Sequence, residues 1–166
     1  MIFEKIEIGE KEKIKRASKI AAEIVREHFE PFYGKEQNEY MIKKFLAPAS
    51  ITAQIEQGNS FYLIRPDKGR GKYLGFMSFC PNGEAMQLSL YCLYAAERSR
   101  GYGKEMFEFL KKTTYDAGLR EITAKVGKEN PSLNVYKHLG FSILGESKED
   151  IGGGYTLEDY DLIYIL

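Results

Sequence analysis

The sequence lacks a net charge: 24 Lys and Arg balance 24 Asp and Glu across 166 residues. A nucleic-acid binder needs surplus cations to displace counterions from phosphate, so the composition argues against that class of partner. Cysteine is scarce too. Cys80 and Cys92 are the only two, both inside apolar stretches, which reads as buried inert thiols in a reducing compartment rather than a disulfide framework. The two histidines, His28 and His138, have no ligand-like spacing to each other or to the cysteines, so no structural metal is expected. No apolar run approaches the ~18 residues of a membrane span, and residues 1–5 lack the apolar core of a signal peptide. A cytoplasmic protein that engages neither membrane nor nucleic acid is the expectation.

What is present describes one ordinary domain. Hydrophobic residues make up 43% and charged residues 29%, a globular balance, and the length suits a single domain spanning 1–166. Ile2, Ile6 and Ile8 suggest an opening strand. Ile14, Ala17, Ile20, Ala21, Ile24 and Val25 recur at helical spacing and predict a helix over 11–28, broken by Pro31 and Gly34. Further helices are expected over 36–45 and after Pro48, the latter ending at 57–59. Strands at 61–64, 73–79 and 86–93, joined by turns at 66–69 and 81–83, form an antiparallel meander. A helix over 101–117 closes at Gly118. A strand at 122–126, a helix over 130–139, and strands at 141–144 and 162–166 complete the order. The fold class is α+β, a mixed and mostly antiparallel central sheet flanked by helices.

The most informative stretch is LYAAERSRGYGKEMFEFL, residues 93–110. A strand ends, a loop with two glycines follows, and an amphipathic helix starts at once. Glycine lets a backbone approach an anion closely, and the first N–H groups of a helix have no internal partners, so this junction suits phosphate. Arg98, Arg100 and Lys104 concentrate positive charge in a neutral chain. A P-loop requires a Gly separated by four residues from the Gly-Lys pair and Ser or Thr after it; Arg98 and Glu105 stand there instead. A dinucleotide fingerprint requires a small residue where Met106 stands. A strand-to-helix turn with solvated arginines is the plain alternative for this segment alone.

The second segment, NPSLNVYKHLGF at 130–141, follows a strand and leads into another. Together with R-x-x-G-x-G at 98–103, it resembles the GNAT superfamily of acyl-CoA N-acyltransferases, in that family's motif order, from about Tyr62 onwards. The resemblance implies a GNAT-like fold and acetyl-CoA as co-substrate. It implies that Tyr91, Cys92 and Leu93 offer backbone groups to the pantetheine arm and thioester. It implies that Arg98, Ser99, Arg100, Gly101, Tyr102, Gly103 and Lys104 wrap the pyrophosphate, and that Asn130 hydrogen-bonds the pantetheine region. Tyr136, four residues before Gly140, matches the family's general-acid tyrosine. Two positions depart from the pattern. Asn130 precedes Tyr136 by six residues instead of the common seven, and Ala95 stands where a proline is often found. Segments 36–41 and 150–160 resemble a bacterial subgroup distantly similar to polyamine acetyltransferases, although the latter also suits an ordinary hairpin.

The implied reaction is acetyl transfer to a primary amine, in a small molecule, a polyamine or a protein. An amine of pKa ~10.4 costs about 4.6 kcal/mol to deprotonate at pH 7, and an α-amine of pKa ~7.8 about 1 kcal/mol. The more basic acceptor needs a base. Glu84, Glu97 and Glu129 lie nearest in sequence, each equally readable as solvated surface, and none is assigned. Phe29, Phe32, Tyr33 and Tyr40 suit either an acceptor pocket or core packing. A non-catalytic acyl-CoA sensor is the rival reading, and a homodimer is compatible with the resemblance.

Overall fold

The computed structural model describes residues 1–166 except Lys68 and Arg70; the turn expected at 66–69 therefore falls partly outside the described residues. The elements run β1 (Ile2–Lys5), α1 (Lys11–Tyr33), α2 (Lys35–Leu46), α3 (Pro48–Glu56), β2 (Ser60–Arg65), β3 (Gly75–Asn82), β4 (Ala85–Leu93), a short 3-10 turn (Ala95–Glu97), α4 (Tyr102–Asp116), β5 (Glu121–Gly127), α5 (Ser132–Leu139), β6 (Ser142–Gly152) and β7 (Tyr155–Ile165). The strands lie in the order β1-β2-β3-β4-β5-β7-β6. β4 pairs with β5 in parallel, from Ala85↔Glu121 to Leu88↔Ala124. β1–β2, β2–β3, β5–β7 and β6–β7 are antiparallel. This is the α+β, mostly antiparallel sheet expected from the sequence.

The chain divides into two compact units. The first comprises residues 1–80 and 90–102. Its core joins the apolar stripe of α1 (Ile14, Ala17, Ile20, Ala21, Ile24, Val25) to Phe61, Leu63 and Phe76 of β2 and β3. The Phe61 and Phe76 rings stack at 5.9 Å. Two expectations are corrected here. The opening strand stops at Lys5: Ile6 enters the core at 1% exposure, and a turn at 7–10 (Glu10 N–H to Glu7 O, 3.2 Å) leaves Ile8 exposed. Pro31 does not break α1 but lies inside its last turn, where its missing N–H forfeits a single helical bond. Gly34 is the true stop, with φ +77 and its N–H on Glu30 O at 2.9 Å.

The second unit comprises residues 81–89 and 103–166. α4 buries Met106, Phe107, Leu110 and Thr114, and the even-numbered face of β5 buries Ile122, Ala124 and Val126. Phe107, Phe141 and Tyr164 form an aromatic cluster with centroids 5.0–5.6 Å apart. The terminal strands are longer than 141–144 and 162–166. β6 and β7 make one hairpin of 11 residues each, turned through Gly153 (φ +62) and Gly154 (φ +82). Positive φ at both turn positions matches the right-handed twist of the flanking strands.

Candidate functional site

In the first unit the sheet delivers the end of β4 as a tightly held platform. Gly75 on β3 passes so close that a β-carbon there would lie 2.0 Å from the Cys92 carbonyl oxygen, and the Tyr94 N–H donates to Leu74 O at 2.9 Å. Tyr91, Cys92 and Leu93 are half-buried. Burial pushes the Cys92 thiol up to about 11, against opposing pulls from a hydrogen bond to the Tyr91 backbone and from Arg98. Burial also lifts the Tyr91 phenol well above its usual range.

Two carboxylates of α1 then fix the segment that follows. Glu23 accepts the Tyr94 hydroxyl at 2.6 Å, and together with burial this raises the Tyr94 phenol strongly. Glu27 accepts the Ala95 backbone N–H at 2.9 Å. Ala95 is the position where the resembling family often has proline, and its N–H is put to use here; a proline has none to give. Arg98 turns back on its own loop. It donates to Leu93 O at 3.3 Å and lies 3.1 Å from His28 Nδ1. Guanidinium has no acceptor, so His28 Nδ1 must be the unprotonated nitrogen.

The loop itself is conformationally special. Ser99 has φ +61, the one non-glycine residue at positive φ among those described, and Gly101 has φ +86. Among the described residues the backbone N–H groups of Ser99, Arg100 and Gly101 have no internal partner. They lead directly into Tyr102, the first residue of α4. Successive N–H groups without internal acceptors suit an anion. Gly103 differs from Gly101: it lies within the first turn of α4 and has no positive φ.

In the second unit α4 and α5 enclose a cleft of about 610 Å³, bordered by Lys104, Phe107, Lys111, Asn134, Val135 and His138. Only Lys104 of these was singled out by the sequence; the others owe their place to packing of the two helices. Asn130 is buried at 7% exposure. Its Oδ1 accepts the Ser132 N–H at 2.9 Å, capping the start of α5, and its own N–H donates to Gly127 O at 2.9 Å. Its amide Nδ2 has no protein acceptor among the described residues. Tyr136 is half-buried on α5, with its ring edge-on to Phe141 at 5.4 Å.

The three glutamates near the motifs separate by environment. Glu84 and Glu129 are exposed. Glu97 is 7% exposed, with Oε1 on Lys72 at 2.8 Å and Oε2 without a hydrogen bond. At the far end of α1 the rings gather: Phe29 stacks on Tyr33 at 5.8 Å, and His28 meets Phe29 and Phe32 edge-on. A further acidic residue, Asp159 of β7, is 8% exposed and sits across from Gly127 at the end of β5. Nothing in its local sequence announces this burial, which the β5–β7 register alone produces.

Among the described residues no group of His, Cys, Asp and Glu is placed to hold a metal ion, and no helix is long and apolar enough to cross a membrane. A model of the acetyltransferase (GNAT) family matches residues 22–141. No curated protein sequence matches the chain. Among solved structures, the chain is similar to a PaiA N-acetyltransferase from Thermoplasma acidophilum, solved in complex with coenzyme A: 16% identity, 100% of each chain covered, TM-score 0.75. A GCN5-related N-acetyltransferase from Rhodopseudomonas palustris gives 15% identity, with 99% of this chain and 95% of that chain covered, and TM-score 0.78. An IAA acetyltransferase from Bacillus cereus ATCC 14579 gives 18% identity, 99% of each chain covered, and TM-score 0.63. At such identities the likeness establishes the fold.

Proposed function

The chain belongs to the acetyltransferase (GNAT) family, and on that premise we propose that it moves the acetyl group of acetyl-CoA onto a primary amine by direct attack on the thioester. The observation that carries the proposal is the run of open N–H groups at Ser99, Arg100 and Gly101 leading into α4. It offers a diphosphate several donors at once. The residues present fit the co-substrate in other respects. Lys104 borders the cleft between α4 and α5, where Lys111 is paired with Glu108 at 2.7 Å, and the amide of Asn130 keeps donors to spare.

Bound acetyl-CoA supplies the activated acyl carbon and a thiolate leaving group. The protein's part is to hold the thioester along Tyr91, Cys92 and Leu93, and to stabilise charge as it develops. The Tyr136 hydroxyl is assigned to the departing sulfur. Full proton transfer from a phenol of pKa ~10 to a thiolate of pKa ~8.5 is uphill by about 2 kcal/mol, so its first service is a hydrogen bond to the developing anion. The proposal takes the chain as one catalytic domain acting in the cytoplasm on a small-molecule amine or polyamine, with a homodimer compatible.

Thermal melting with ligands tests the first half. Acetyl-CoA at a hundredfold excess over Kd should stabilise the protein by about 2.7 kcal/mol, while NADH should not shift the transition. Thiol release from acetyl-CoA with a panel of amines tests the second half. Absence of any melting shift at millimolar acetyl-CoA overturns the proposal; binding without thiol release to any amine leaves a sensor.

A further inference from the structure

Arg98 is a cation without an anion. Among the described residues its guanidinium makes no ion pair; Nη2 donates to two neutral acceptors, Leu93 O at 3.3 Å and His28 Nδ1 at 3.1 Å. The segment that delivers it is well held. Glu23 accepts the Tyr94 hydroxyl at 2.6 Å and Glu27 the Ala95 N–H at 2.9 Å, so α1 grips the chain at two points between Leu93 and Arg98. The Arg98 N–H itself donates to Ala95 O at 3.3 Å. The backbone leading to Arg98 is thus fixed, and its exposed side chain alone is left to change partner.

The carbonyl that Arg98 covers belongs to the last residue of β4, in the run 91–93 on which the acetyl-transfer reading lays the thioester. That run has little slack. Gly75 on β3 passes so close to the Cys92 carbonyl that not even a β-carbon fits, and the Tyr94 N–H is tied to Leu74 O at 2.9 Å. A ligand that uses the Leu93 carbonyl must therefore move the guanidinium, not the strand. The means of moving it lies next along the chain. Ser99, Arg100 and Gly101 follow Arg98 directly, and their N–H groups have no internal partner among the described residues. An anion held there stands beside Arg98. A guanidinium leaves neutral acceptors for an anion, because the charge-assisted bond is roughly twice as strong.

We propose that Arg98 is a specificity-determining residue for the acyl donor: it covers the Leu93 carbonyl until a diphosphate draws it off, and so favours a CoA thioester over a thioester of pantetheine that carries no diphosphate. The inference rests on the acetyl-transfer reading and deepens it. A pantetheine arm alone must break the Arg98 bond to Leu93 and gives the cation nothing in return. A full CoA brings, in the same molecule, the anion that Arg98 lacks. Arm and diphosphate thus help each other through one side chain, and the coupling is reciprocal, as for any two ligands linked through one equilibrium. Arg100 differs in this respect. It is exposed and, among the described residues, has no partner to give up, so its charge favours the anion without freeing any group for the arm.

The test is binding to the full chain, read by titration calorimetry with CoA, pantetheine and inorganic pyrophosphate as probes. In wild type, saturating pyrophosphate should tighten pantetheine by about 3- to 10-fold, the scale of one net hydrogen bond. In Arg98→Ala, pantetheine should bind tighter by a similar factor without pyrophosphate, and pyrophosphate should no longer alter it. CoA should bind that variant no tighter than wild type, because the loss of the cover is offset by the loss of a cation. Arg100→Gln should weaken CoA and pyrophosphate with no gain for pantetheine. His28→Ala removes one of the two acceptors that hold the guanidinium and should shift pantetheine in the same direction as Arg98→Ala, without weakening CoA; it carries the test if Arg98→Ala does not fold. Pantetheine that binds these variants no better than wild type, or a wild type in which pyrophosphate leaves pantetheine unchanged, overturns this inference while CoA binding and acetyl transfer stand. A wild type that binds neither CoA nor pantetheine overturns it together with the acetyl-transfer reading.

Discussion

Gly75 and Cys92 approach each other so closely that no side chain fits between them: a β-carbon on Gly75 would fall 2.0 Å from the Cys92 carbonyl oxygen. The obstacle is backbone, which cannot rotate away as a side-chain tip would. Gly75→Ala should therefore force β3 from β4 and cost about 2–3 kcal/mol, the upper part of the ~1–3 kcal/mol range for overpacking a tight interior. For a chain of this length that corresponds to a fall in Tm of roughly 4–12 °C. Thermal unfolding checks it. A variant that melts with wild type would mean that the two strands sit farther apart than described.

Cys92 carries a second consequence of the same packing. Its thiol is pushed up to about 11 by burial, so only a trace is thiolate near neutrality, and the thiolate is the nucleophile. In a Cys80→Ser background, alkylation of Cys92 by iodoacetamide should be very slow at pH 7.5 and rise about tenfold per pH unit towards pH 11. The sign for stability follows. A thiol kept protonated in the folded state but ionising near pH ~8.5 when unfolded contributes stability below that value and loses it as pH rises through about 11. Rapid alkylation at neutral pH would contradict the burial.

The parts of the fold visible in the sequence are those whose signals are local. The glycines and charges at 98–104 lie side by side in the chain, and the α1 stripe repeats every three or four residues. The extents of β6 and β7 were not visible, because a hairpin edge such as residues 142–152 is mostly exposed and carries no apolar alternation. The length of α1 was misjudged from Pro31, where one lost hydrogen bond is outweighed by the helix's buried face. Glu23 and Glu27 carry no local signal of their pairing, which packing against Tyr94 and Ala95 creates. Asp159 and Gly75 depend on cross-strand neighbours far off in sequence. Local pattern marks the glycine-rich loop; tertiary packing determines which carboxylates are buried or paired.

Ala95 allows the value of a single hydrogen bond to be isolated. The preceding residue, Tyr94, has φ −54 and ψ 143, an extended conformation that a following proline favours. Ala95→Pro should thus be accommodated without strain and remove only the N–H donated to Glu27. Its gain from a stiffer unfolded chain, about 0.4–1 kcal/mol, should nearly cancel the lost bond to an exposed carboxylate, about 1 kcal/mol. The telling measurement is a double-mutant cycle by denaturant unfolding. Glu27→Ala should cost ~0.5–1 kcal/mol alone and close to nothing on top of Ala95→Pro. Full additivity would show that the Glu27–Ala95 bond contributes nothing to stability.

Tyr136→Phe decides whether the phenol acts in chemistry or in packing. The change deletes one hydroxyl and keeps the ring, so the edge-on contact with Phe141 at 5.4 Å is retained. Stability and CoA affinity should therefore change little. If the hydroxyl stabilises the departing sulfur, kcat should fall by ~10- to 1000-fold, the scale for losing one transition-state donor or acid. KM for acetyl-CoA should hardly move, because the interaction strengthens only as charge develops on sulfur. A slow product release would hide part of the loss, so the measurement to make is the single-turnover rate at saturating amine. The dependence on leaving group sharpens the test further. A better leaving thiol needs less help, so the deficit of Tyr136→Phe should shrink with an acyl donor whose thiol is more acidic than that of CoA. A variant with wild-type single-turnover rates would return Tyr136 to the aromatic packing of α5.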